Sequence, residues 1–201
     1  MEQMINKVEH FIYEINQLHK EVSQDYFETN KEERYNLSKT ITHVPVDYIL
    51  DYRLNLHECI NDYLMRGLSP LFFVYRVKTH ESIMDKLERY ANRENKYPVN
   101  GWLNDIFGCR LIVDTETMEL IENTLDKWKE QFNLKNWYKK DKDGYKAIHV
   151  YFKNQNNVYF PWELQIWDEK DKKQNIQAHR SQKRKFILNR KTMMAQWIRD
   201  Y

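Results

Sequence analysis

The sequence predicts an α+β protein: a mixed sheet flanked by helices, with a helical layer at the front. Three observations predict it. The first third of the 201 residues repeats its apolar side chains at helical spacing. The middle runs strand, helix, strand, helix. Three closely spaced strand patterns and a basic helical stretch follow, giving the order βαβαβββα with five strands.

Residues 3–28 place Ile5, Val8, Phe11, Ile12, Ile15, Leu18 and Val22 on one helical face. Residues 30–34 are polar and read as a loop. Pro45 opens a second helix, with Val46, Ile49, Leu50, Leu54, Leu56, Ile60 and Leu64 apolar, ending near Gly67. Residues 1–68 are therefore expected as a helical segment packed on a core unit of residues 69–201. LFFVYRVK (71–78) is a short strand, and helix returns over 80–95. IFGCRLIV (106–113) is almost wholly apolar, as in a strand covered on both faces. Residues 115–131 form an amphipathic helix, strands follow at 134–140, 146–153 and 157–167, and a basic helix begins near 174.

A chain of this length buries a core without staples. Cys59 and Cys109 match no zinc or redox spacing, which fits a reducing cytosol. No apolar run approaches the ~18 residues that cross a bilayer. The opening MEQMINKVEHF is not a signal peptide, so a cytoplasmic location is expected. Net charge is only +2, yet residues 170–191 hold nine Lys or Arg against one Asp. Two readings stand: a solvated helix face, or a surface for a polyanion.

The strongest local signal is RVKTHESIMDKLER (76–89). Thr79 is a natural N-cap where strand gives way to helix, and helix N-termini suit phosphates. Arg76 and Lys78 share a strand face; Ser82, Lys86 and Arg89 share a helix face. Five donors thus converge on one helix start. In NDIFGCR (104–110), Asp105 precedes a buried strand and Arg110 lies inside it, either as an internal ion pair or as a ligand site. In YKKDKDGYKAIHVYF (138–152), Asp143-Gly144 is a hairpin turn. Tyr145 and His149 share a face, with Lys139, Lys140 and Lys142 about the turn. A ring amid lysines suits a nucleobase with phosphates, and the alternative is a solvated tip over a core Tyr. In FPWELQIWDEK (160–170), Glu163 lies on the polar row of an aromatic strand. With Asp105 it makes the two-carboxylate set that suits magnesium bound through phosphates. The chain has no HExxH, no GxxxxGK[ST] loop and no nucleophile–base pair at a convincing spacing. A nucleotide site outside the P-loop class uses these residues together.

In this order and spacing the motifs resemble the synthetase domain of the RelA/SpoT family, in size its small alarmone synthetases, over residues 74–185. RVKTHESIMDKLER is similar to R-x-K-x-x-x-S-I-x-x-K-x-x-R, DIFGCR to D-I-x-G-x-R, DGYKAIH to G-Y-[RK]-x-x-H, and ELQIW to E-[IV]-Q-[IL]-R. The resemblance implies a nucleotidyltransferase-like sheet. It implies a pyrophosphokinase that moves the β,γ-pyrophosphate of ATP to a ribose 3′-hydroxyl, with Mg2+. It implies that Arg76 and Arg110 sandwich adenine and that Lys78, Ser82, Lys86 and Arg89 hold the ATP phosphates. Asp105 and Glu163 would bind the metal, Glu163 also orienting or deprotonating the hydroxyl. Tyr145 would stack on the acceptor base, with Lys140, Lys142, Lys146, His149, Gln165 and His179 on the acceptor side.

The departures lie on the acceptor side. Trp167-Asp168 stands where the family has Arg-Thr, and a charged run follows. These features resemble the toxic small alarmone synthetases of toxin–antitoxin pairs. That resemblance implies transfer to the 3′-CCA end of tRNA, a block on translation and an antitoxin partner. Lys172, Lys173, Arg180, Lys183, Arg184 and Lys185 would then bind tRNA. The alternative acceptor is GDP or GTP, giving (p)ppGpp. The chain stops about twenty residues after His179, so a monomer or toxin–antitoxin complex is expected rather than a homotetramer.

Overall fold

The computed structural model describes residues 2–29, 34–64, 71–93, 97–181 and 184. Helix α1 (Glu2–Thr29) and helix α2 (Val46–Leu64) form the front layer. Then come β1 (Phe73–Val77), α3 (His80–Ala91), the short α4 (Val99–Trp102), β2 (Phe107–Val113) and α5 (Thr115–Gln131). Strands β3 (Leu134–Lys142), β4 (Tyr145–Phe152) and β5 (Trp162–Asp168) complete the sheet, and residues 172–181 are helical. The sheet order is β1-β2-β5-β4-β3. Only β2 and β5 run parallel, so the predicted mixed five-stranded sheet is present.

The register divides the sheet into two faces. Gly108 pairs with Glu163, Arg110 with Gln165, and Gln165 with His149. Side chains directly opposite share a face, so Arg76, Arg110, Glu163, Gln165, Trp167, Tyr145, His149 and Tyr151 stand on one side. Their neighbours Phe107, Cys109, Leu111, Ile148, Val150, Phe152, Leu164 and Ile166 stand on the other, in the apolar core. That core takes in Val8, Phe11, Ile12, Ile15 and Val22 of α1, and Ile49, Tyr52, Leu56 and Ile60 of α2. Burying each such aliphatic or Phe side chain contributes about 1.5–3 kcal/mol. The boundary expected near residue 68 lies outside the described residues.

The front layer is also fastened by buried polar bonds. The Trp162 indole donates to Asn16 at 2.8 Å, and the Trp128 indole donates to Glu9 at 2.9 Å. His19 lies 3.2 Å from the Tyr52 hydroxyl and 3.1 Å from the Asn154 amide, and its ring stacks on Phe107. Burial pulls the His19 imidazole down to about 3, so it is neutral at pH 7.

Two expectations shift. Leu54 is 48% exposed, because Ile49, Tyr52, Leu56 and Ile60 set the phase of the buried stripe and Leu54 falls off it. The last strand begins at Trp162 rather than 157, since Asn156 turns the chain by accepting from Val158 N at 2.9 Å and Pro161 has no N–H to give.

Candidate active site

Thr79 caps α3, its hydroxyl oxygen accepting from Ser82 N at 3.3 Å. This fixes the turn that brings Lys86 back over the end of β1. Lys78 Nζ lies 2.6 Å from Asp105 Oδ2, and Lys86 Nζ lies 2.9 Å from Asp105 Oδ1. Arg76 reaches Asp105 at 3.5 Å and Glu163 at 3.7 Å with the same terminal nitrogen. Burial alone would raise the Asp105 carboxyl, but Lys86 and Lys78 outweigh it and hold it well below the usual carboxylate range. Burial lowers Lys78. Arg53 of α2 donates to the Lys78 carbonyl at 3.0 Å, so the front layer braces the cationic turn. Arg89 takes a different partner: it is exposed and paired with Asp85 one turn back, at 2.8 Å.

Arg110 is not bonded to Asp105. Its guanidinium lies 3.7 Å above the Trp167 ring, donates to Gln165 Oε1 at 2.8 and 3.1 Å, and is 3.5 Å from His179 Nε2. Gly108 stands between Arg76 and Arg110. A Cβ there would sit 3.7 Å from the Glu163 carboxylate and 3.8 Å from Arg76, in the slot the two arginines flank. A small cleft opens at this slot, lined by Val74, Arg76, Gly108, Arg110, Glu163 and Gln165.

Glu163 is buried and fully engaged. One carboxylate oxygen accepts from His149 Nδ1 at 2.8 Å and from the Tyr151 hydroxyl at 2.9 Å; the other accepts from Gln165 Nε2 at 2.8 Å. Burial opposes its ionisation, yet the His149 bond prevails and its carboxyl lies below the ordinary value. The chain of contacts continues: Tyr145 Oη is 3.1 Å from His149 Nε2 and accepts from the Trp167 indole at 3.2 Å. Desolvation pushes the Tyr145 phenol up to about 12, so it stays protonated.

Tyr145 is only 3% exposed. Its ring meets His179 and Trp167 edge-on, at 5.0 and 5.9 Å, and Lys140 Nζ lies 5.1 Å from its centre. Segment 172–181 produces this cover. Asn175, fully buried, bonds both the N–H and the carbonyl of Lys146 at 2.8 Å. Ala178 packs on Tyr145 and Trp167, and burial with the Arg110 charge pulls His179 down to about 4. Asp168 turns β5 into this segment, accepting from Lys170 N at 3.0 Å and from the Thr115 hydroxyl at 2.8 Å.

Of the residues expected at the site, Arg76, Lys78, Lys86, Asp105, Glu163, Arg110, Gln165, His149, Tyr145 and His179 are gathered on one face. Ser82 stands at the capped start of α3 beside them. Lys146 is not among them, because it alternates with Tyr145 and pairs with Asp141 at 3.1 Å on the opposite face. Lys142 is exposed at the hairpin end. Lys172, Lys173, Arg180 and Arg184 are exposed, while Lys183 and Lys185 lie outside the described residues. Gly108, inside DIFGCR, and Tyr151, Tyr138, Arg53 and Asn175 join these residues only through the register and packing of the fold.

The family model described as the region found in RelA / SpoT proteins matches residues 75–185. Among solved structures, the chain is similar to small alarmone synthetase 1 from Bacillus subtilis bound to its product pppGpp. Identity there is 18%, over 70% of this chain and 75% of that one, with a TM-score of 0.41. A GTP pyrophosphokinase family protein from Streptococcus pneumoniae is also 18% identical, over 72% of this chain and 87% of that one, with a TM-score of 0.36. No curated protein matches the chain.

Proposed function

We propose, from the premise that the chain belongs to the RelA/SpoT family and is a pyrophosphokinase, that it moves the β,γ-pyrophosphate of ATP to the 3′-hydroxyl at the CCA end of tRNA. The observation that carries the transfer is the convergence of Arg76, Lys78 and Lys86 on Asp105, beside the buried Glu163. Three cations gathered on one carboxylate suit a triphosphate, which takes Lys78 and Lys86 from Asp105 when it binds. Arg76 and Arg110 flank the slot at Gly108, which suits a flat purine.

The 3′-oxygen attacks the β-phosphorus of ATP. The new O–P bond forms as the bond from that phosphorus to the α–β bridging oxygen breaks, and AMP leaves with that electron pair. Glu163 orients the hydroxyl and takes its proton. A carboxylate of low basicity suffices, because little proton transfer is needed before such a loose displacement is well advanced. His149 and Tyr151 hold the carboxylate in place, and Gln165 links it to Arg110.

Asp105 and Glu163 are the residues that would hold magnesium. Both are hard oxygen donors within reach of one Arg76 nitrogen. Among the described residues no group of three or more His, Cys, Asp or Glu forms, so a bound ion would need phosphate oxygens to complete its shell. When bound, magnesium neutralises charge on the transferring phosphates.

The closed Tyr145 pocket supports an RNA acceptor. Any acceptor base would have to displace His179 to stack there, and a polynucleotide has further contacts to offset that displacement, which a free guanine nucleotide lacks. Exposed Lys172, Lys173 and Arg180 on the covering segment, and exposed Arg184 after it in the chain, suit a polyanion. Under this reading the protein inhibits translation as a toxin, restrained by an antitoxin. The intact Tyr145 and His149 pair favours a second reading, transfer to GDP or GTP. The test offers γ-labelled ATP with magnesium to deacylated tRNA, GDP and GTP in parallel. Label in tRNA supports the proposal, and label in the guanine nucleotides alone overturns it. Glu163→Gln should cut transfer by about 10²–10⁴-fold while ATP still binds; transfer within tenfold of wild type would remove Glu163 from the chemistry.

A further inference from the structure

The closed state of Tyr145 leaves another ring in the open. Tyr138 lies on β3, one of the two edge strands, and is 43% exposed. It pairs directly with His149 across the ladder, and the two rings are parallel to within 2° at 5.1 Å. One ring face is therefore covered by the imidazole that bonds Glu163. β3 ends the sheet order, and the residue stays half-exposed there. The Tyr138 hydroxyl is fixed 3.2 Å from the Tyr151 hydroxyl, itself bonded to Glu163. Tyr138 is thus a rigid, half-exposed aromatic plate attached to the catalytic network.

Its neighbours point to the ligand. Lys140 and Lys142 follow on the same face of β3. Lys139 and Lys146, on the other face, are matched to Glu122 and Asp141, whereas Lys140 and Lys142 have no ion pair among the described residues. An exposed ring followed by lysines without a carboxylate partner along one strand, Lys140 lying over the Tyr145 ring, suits a base with its phosphates. Distance decides which base. Tyr138 is two strands from Glu163, about 10 Å at the usual spacing of strands in a sheet. A nucleotide whose own 3′-oxygen sits at Glu163 keeps its base closer than that, on the near side of His149. The base on the far side belongs to the next nucleotide.

We propose that Tyr138 stacks the nucleotide immediately 5′ of the one that receives pyrophosphate, with Lys140 and Lys142 on its phosphates. The ligand is the unpaired 3′ tail of an RNA. This rests on the reading of the site as an RNA 3′-end pyrophosphokinase. Tyr138 is a positioning residue: it holds the tail so that the terminal hydroxyl meets Glu163.

The test measures kcat/KM for label transfer into two short RNA hairpins, one ending in CCA and one abasic at the penultimate position. Tyr138→Ala should lower transfer to the intact RNA by about 5- to 150-fold, the range of one base–aromatic stack. The abasic RNA should cost the wild type a similar factor, and the two losses should not multiply. Tyr138→Phe should keep most of the activity. Equal losses for Tyr138→Ala on both RNAs would show that it acts only through His149 packing, and would overturn the proposal. So would full activity of Tyr138→Ala on intact RNA. Label from the wild type in GDP but in neither RNA would overturn the RNA reading itself and this inference with it.

Discussion

Replacing Asp105 by Asn is the sharpest perturbation of the site. Asp105 neutralises two lysines whose side chains are only 11% and 16% exposed, at 2.6 and 2.9 Å. Removing one partner of a buried pair costs about 3–5 kcal/mol, because the other charge stays buried and unmatched. Both lysines keep some contact with water, which places the expected loss near the lower end, about 3 kcal/mol. The pH dependence carries a second signature. The Asp105 carboxyl is held low in the folded chain, so its contribution is present above its ordinary pKa and is lost only as pH falls through the folded value. It therefore adds no slope between pH 5 and 9. Lys78 is already lowered by burial, with Asp105 opposing that shift. Without Asp105 it falls further, and the unfolded chain binds the proton better than the folded one. Stability of the variant must then rise with pH above neutrality, more steeply than in the wild type. Urea unfolding at pH 7 and pH 9 reads both quantities. An Asp105→Asn protein as stable as wild type at pH 7, or one with no steeper rise toward pH 9, would refute the ion-cluster account.

Other perturbations test the supports of the site. His19 is neutral and buried, held down to about 3, so its contribution is present above its unfolded value and lost as pH falls below it. His19→Gln should flatten the acid limb of stability by about 2–3 kcal/mol between pH 7 and 4.5, and parallel curves by urea titration would contradict this. Asn175→Ala leaves the Lys146 N–H and carbonyl without their partner; it should cost about 2–3 kcal/mol and speed amide exchange in residues 172–181, whereas unchanged exchange would mean that the segment is held elsewhere.

Much of this architecture is legible in the sequence because one period separates the two faces of each strand. In β5 the alternation of Trp162, Leu164 and Ile166 with Glu163, Gln165 and Trp167 is the division between core and chemistry. The helix start at Thr79 and the shared face of Tyr145 and His149 follow from spacing in the same way. What spacing does not contain is partner choice. Whether Arg110 meets Asp105 or Gln165 depends on which strands are neighbours, and β5 enters between β2 and β4 only in three dimensions. The alternation along β4 already sets Lys146 on the face opposite Tyr145, and the register adds its partner, Asp141. The place of Tyr138 opposite His149, by contrast, appears only in the register.

Trp167 shows how one departure from a motif can redirect a site without touching its chemistry. Glu163 keeps its bonds to His149 and Gln165. Two residues on, the strand puts an indole where the family pattern has a guanidinium. An arginine there would face Arg110 with like charge and stay in water. An indole instead lies flat beneath Arg110, worth about 0.5–2 kcal/mol as a cation–π contact, and its N–H fixes the Tyr145 hydroxyl. The same ring gives His179 a surface to stack on, at 5.6 Å, so the covering segment closes over Tyr145. One substitution thus removes a positive charge from the acceptor side and shuts the pocket that would take a lone base. Tyr138, at the sheet's edge, stays half-exposed. Lys78, Lys86 and Asp105 keep their mutual contacts whatever stands at 167, whereas Arg110 rests on Trp167, so Trp167→Ala should change the ratio of labelled tRNA to labelled GDP more than it weakens ATP binding, and an unchanged ratio would refute this.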